Sequence, residues 1–76
     1  MTRFDYIGLN FVFIKEGIMF GFISTCVLSH FRIYSQYQNY LIMGLSTTKA
    51  VFLTAENNRI TEDMVFKIRR EMEIEL

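Results

Sequence analysis

Asn57-Asn58-Arg59 interrupts one apolar pattern of helical period, and Thr61-Glu62-Asp63 opens another immediately afterwards. A turn this short forces the two flanking helices to cross steeply and to touch near the turn. The geometry makes three demands: a small residue at the contact, an apolar plug in the turn, and a branched apolar anchor on the second helix. Ala55, Ile60 and Val65 meet them at intervals of five and five, and Ile68 adds a second anchor. In a chain of 76 residues, near the lower limit for a self-sufficient core, such a corner dictates most of what can surround it.

The helix after the turn starts at the N-cap Thr61, with Glu62 and Asp63 favouring the positive end of the macrodipole. Met64, Val65, Ile68 and Met72 read as its buried stripe, and Asp63, Phe66, Lys67 and Arg70 as its outward face. Glu71, Glu73 and Glu75 oppose the dipole, so fraying is expected there. The helix before the turn has its N-cap within Ser46-Thr47-Thr48 and runs from Lys49 to Asn57 or Asn58, with Asn58 suited to a left-handed turn residue. It is apolar over a wide arc, so it is expected to be covered on two sides. A third helix spans His30 to Met43. Ser29 is its expected N-cap, Ile33, Tyr34, Tyr37 and Leu41 form its apolar side, and Gly44 is the residue just past its end.

Residues 1–28 read differently. Tyr6–Ile14 and Ile18–Leu28 are rich in Phe, Ile, Val and Tyr, and Lys15-Glu16-Gly17 between them fits a three-residue hairpin connection. Alternation places Ile7, Leu9, Phe11 and Phe13 on one face, and the other face is also largely apolar. A membrane segment is a competing reading, but the uninterrupted piece from Gly17 to Leu28 falls short of the roughly 20 residues a span needs. No small-x-small cleavage site follows it cleanly. A third reading is an upstream start, with Met19 as an internal one. The expected fold is therefore α+β: an N-terminal β-hairpin in residues 1–28, followed by a trihelical bundle in residues 29–76.

Composition narrows the chemistry. Eight basic and eight acidic side chains cancel. From Ser29 to Arg70, however, six Lys or Arg stand against three acids, so a slight positive region exists before the acidic end. Cys26 is the single cysteine, which excludes an intrachain disulfide, fits a reducing cytoplasm, and reads as a buried thiol within an apolar run. His30 is the single histidine, the glycines are scattered, and no His/Cys cluster offers metal ligands. The expectation is a non-enzymatic protein without metal or cofactor.

The stretch from Val51 to Arg70 resembles the helix-turn-helix superfamily in its Ala55, Ile60 and Val65 spacing. It departs from that pattern in having Arg59 where Gly often stands. It is also similar to short helix-turn-helix-like proteins of bacteria and phages with a Thr-Ala-Glu and then an Ile-Thr-Glu run, here Thr54-Ala55-Glu56 and Ile60-Thr61-Glu62. The resemblance implies a small transcriptional regulator that places the helix Thr61–Arg70 in the major groove of double-stranded DNA, as a homodimer. Lys67 and Arg70 would meet phosphates or guanine edges, Phe66 a thymine methyl, Thr61 a phosphate, and Lys49 and Arg59 flanking phosphates. Glu62 and Asp63 oppose this reading by placing negative charge at the helix tip. The alternative is a protein-interaction module docking through Phe66 and the apolar N-terminal hairpin.

Overall fold

The computed structural model describes residues 1–21 and 26–76. Thr2 caps the first helix rather than leading into a strand. Its hydroxyl accepts from Asp5 N at 3.2 Å while its own N–H donates to Asp5 Oδ2 at 3.0 Å, a reciprocal capping box. Helix α1 (Arg3–Leu9) follows, and α2 (Phe11–Met19) continues after a break at Asn10. The Asn10 side chain donates to Tyr6 O at 2.8 Å, and Ile14 N donates to Asn10 O at 2.9 Å, so one residue closes α1 and opens α2.

The expected hairpin is thus overturned. The described residues hold five helices and no strand, so the fold is all-α rather than α+β. Lys15-Glu16-Gly17 lies inside α2 instead of forming a turn. Residues 22–25 of the second expected strand lie outside the described residues. The physical reason is a stripe that alternation obscured: Phe4, Ile7, Phe11, Ile14 and Ile18 recur at intervals of three and four. Ile7 and Ile14 are buried, and Phe4 and Ile18 pack partly against the core. Phe4 stacks on Phe31 with ring centroids 4.9 Å apart and meets Tyr34 edge-on at 4.7 Å.

Helices α3 (Cys26–Ile42), α4 (Thr47–Asn58) and α5 (Glu62–Met72) form a three-helix bundle in which each packs against the other two. Helix α3 already runs from Cys26, so Ser29 is an interior residue and not its N-cap, and Cys26 is exposed rather than buried. The end of α3 follows the expectation. Gly44 has φ +93°, Leu45 N donates to Tyr40 O at 3.1 Å and Gly44 N to Leu41 O at 3.0 Å, a Schellman stop. Ser46 caps α4 by accepting from Lys49 N at 3.3 Å. The core is filled by Tyr34 and Tyr37 of α3, by Ala50, Val51 and Ala55 of α4, and by Val65, Ile68 and Met72 of α5. Thr54, fully buried among them, satisfies its hydroxyl on Ala50 O at 2.7 Å.

The C-terminal acids, where fraying is expected, each have a partner. Glu71 Oε2 lies 3.1 Å from His30 Nδ1, and Glu73 Oε2 accepts from Arg69 Nε and from the Tyr34 hydroxyl, each at 3.1 Å. Glu75 pairs with the α-amino group of Met1 at 3.1 Å. Backbone bonds complete this clasp: Arg3 N donates to Ile74 O at 2.8 Å and Leu76 N to Met1 O at 2.9 Å. An antiparallel bridge between Thr2 and Glu75 joins the two ends of the chain. No helix among the described residues is long and apolar enough to cross a membrane.

Candidate nucleic-acid interface

The α4–α5 corner is built from local bonds. Ile60 N donates to Ala55 O at 3.0 Å and Arg59 N to Glu56 O at 3.3 Å, which makes Arg59 the left-handed residue of a second Schellman stop. Its φ of 54° and ψ of 42° place it in the conformation expected for Asn58, at a cost of about 1–2 kcal/mol for a residue bearing a Cβ. Asn58 stays helical because its side chain is already committed. Its Nδ2 donates to Thr54 O and to Gln36 Oε1, both at 2.8 Å, tying α4 to α3. The neighbouring Asn57 Nδ2 donates to the Tyr40 hydroxyl. Ala55, Val65 and Ile68 are buried and Ile60 packs against them, so the three spaced residues and the added anchor all serve as packing.

Beyond the corner, Thr61 Oγ1 accepts from Met64 N at 3.2 Å and caps α5. Val65, Ile68 and Met72 face the bundle, whereas Met64, assigned to the buried stripe, is 39% exposed. One position before Val65, it lies about 100° round the helix from the buried line. Phe66, Lys67 and Arg70 share the exposed face of α5, with Glu62 and Asp63 exposed in its first turn. Arg59 and Thr61 stand exposed at the start of the same helix. Five of the six candidate contact residues therefore lie along one element and its turn. Lys49 does not join them. It sits in the first turn of α4, ten residues before Arg59, or about 15 Å along the helix axis at ~1.5 Å per residue.

The basic residues of α5 divide by partner. Arg69 is half-buried, bridges to Glu73 and lies over the Tyr37 ring at 5.8 Å. Among the described residues, Arg59, Lys67 and Arg70 take part in no ion pair. Sequence reasoning overlooked the polar seam between α3 and α5: Tyr34, Gln38, Arg69 and Glu73, with the His30–Glu71 pair beside it. The i,i+4 spacing of Arg69 and Glu73 was the one local signal of it. Burial, opposed by the bond from Gln38 and reinforced by the nearby Glu73 carboxylate, pushes the Tyr34 hydroxyl up to about 12.

Compared with family models, curated proteins and solved structures, the chain finds no match in any of the three.

Proposed function

We propose that this chain is a small DNA-binding protein, a transcriptional regulator of the helix-turn-helix kind working in the cytoplasm, which lays α5 in the major groove. The observation that carries this reading is the division of cations on α5 and its turn. Arg69 is taken up internally, while Arg59, Lys67 and Arg70 are exposed and unmatched by acids among the described residues. Cations held in that way are available to phosphates. On this reading Lys67 and Arg70 meet phosphates or guanine edges, and Phe66 meets a thymine methyl. The Thr61 oxygen is used by its cap, yet its hydroxyl hydrogen can still be donated to a phosphate beside the first N–H groups of α5. Lys49 reaches only a flanking phosphate. Glu62 and Asp63 favour the helix dipole and reduce affinity.

Fluorescence anisotropy with random duplex DNA at two salt concentrations tests the proposal. Binding is expected to weaken steeply with salt. Lys67→Ala with Arg70→Ala is expected to lower affinity and to reduce the slope of log K against log salt by about 2. No binding at low salt, or no response to the double variant, sinks the reading.

A second reading, a protein-interaction module docking through α5, draws on Phe66, 40% exposed beside the exposed Met64 and the two acids. It is favoured if Phe66→Ala abolishes capture of a protein partner while the wild-type chain ignores DNA.

A further inference from the structure

We propose that the outer face of α1 and α2 is the docking surface for a second copy of this chain. The observation is an apolar surface on the side opposite the buried stripe. Tyr6, Leu9, Val12, Phe13, Met19 and Phe20 are each between 50% and 73% exposed. They form one patch and not scattered residues. A concavity at the Asn10 break is lined by Leu9, Val12, Phe13 and Glu16, and a groove sharing Phe13 runs on to Tyr6, Ile14 and Val27. Met19 and Phe20 follow Glu16 by three and four residues, on the same side of α2.

Area and charge choose the occupant. At about 200 Å² for each large apolar side chain, the exposed fractions of the six amount to about 800 Å². That is above the roughly 300–600 Å² of the largest patch on a typical monomer, and it matches the ~800 Å² per partner of a standard interface. Helices that lie on lipid carry Lys and Arg around their apolar face. Here the charges are mixed: Glu16 lines the patch, Arg3 lines the groove, and Asp5 and Lys15 are exposed on the same two helices, so no one-sided basic rim is present. Two acids against two cations give anionic headgroups no net attraction, whereas mixed signs suit a self-complementary surface. A second copy brings its own answer. Lys15, exposed at the patch edge, supplies across a two-fold axis the cation that the other copy's Glu16 requires. This inference stands apart from DNA binding, because the interface lies on α1 and α2 and is measured without DNA.

Sedimentation equilibrium of the full chain, without nucleic acid, tests it. A reversible dimer with a dissociation constant at or below about 10 µM is expected. Val12→Glu and Phe13→Arg, at exposed positions, are each expected to weaken it at least ~30-fold with unchanged helical circular dichroism. Phe52→Glu, on the exposed side of α4, is expected to leave it unchanged. A second measurement needs no variant. Amide exchange of the wild type is expected to slow with rising concentration in residues 6–20 and nowhere else to the same degree. The proposal is overturned by a chain that stays monomeric. It is equally overturned by a dimer that ignores Val12→Glu, by one that Phe52→Glu disrupts equally, by concentration-dependent protection elsewhere, or by a monomer that binds phosphatidylcholine–phosphatidylglycerol vesicles.

Discussion

The Tyr34 hydroxyl donates to Glu73 Oε2 at 3.1 Å while accepting from Gln38 Nε2 at 2.6 Å, and so fastens the middle of α3 to the residue that closes α5. One phenol does three jobs here. Its ring is part of the core, its oxygen satisfies an amide of its own helix, and its hydrogen is donated to one acid of a run that the helix end disfavours.

That arrangement predicts an alkaline limit to stability. The folded chain raises the Tyr34 hydroxyl from 10.0 to about 12, so between those values the native state holds a proton that the unfolded state has lost. Stability from this group is complete below about pH 10 and falls away as pH rises towards 12. Ultraviolet titration of tyrosinate should show a late step that belongs to Tyr34. In Tyr34→Phe that late step disappears, and about 1 kcal/mol of stability is lost at neutral pH.

Arg59 separates stability from recognition. Because it occupies the left-handed region at φ 54°, Arg59→Gly is expected to stabilise the fold by about 0.5–1 kcal/mol, raising the melting midpoint by roughly 4 °C. The same change removes a candidate phosphate contact. A variant that melts higher and binds DNA more weakly assigns Arg59 to the interface. A variant that melts higher and binds DNA as before assigns it to the turn alone.

The helical N-terminus is checked by a pair of neighbours. On a helix docked as α2 is, Ile14 is core at 7% exposed and Phe13 is surface at 72%. Chemical unfolding below the dimer concentration should therefore show Ile14→Ala costing about 2–4 kcal/mol and Phe13→Ala within about 0.5 kcal/mol. Equal costs would point to a segment covered on both sides, as the alternating strand requires.

What could be read from the chain before its structure follows the range of the bonds involved. The stop at Gly44, the caps at Ser46 and Thr61 and the corner at Asn57–Ile60 all close on partners within five residues, and each carries its own signal. The α4–α5 corner was legible as a packing device for the same reason. Which residue would turn left-handed was not. Asn58 is the better left-handed residue by itself, but Gln36, 22 positions away, holds its side chain in helix. The candidate interface divides likewise. Lys67 and Arg70 follow from their phase on α5, whereas the withdrawal of Arg69 depends on where Tyr37 lies.

The sequence by itself determined where α3 ends, where α4 and α5 begin, and that Val65, Ile68 and Met72 face inward on α5, because capping bonds and helical phase are local. For residues 3–19 the Thr2–Asp5 capping box is a local helical signal, but tertiary packing decided between the two apolar patterns. A segment apolar on almost every side satisfies a period of 2 as readily as one of 3.6. The choice falls to the surface that receives it, here the Phe31 and Tyr34 rings that hold Phe4. Tertiary structure also decided the fate of the terminal acids. Glu73 and Glu75 find partners 39 and 74 residues away, and no local rule reaches that far.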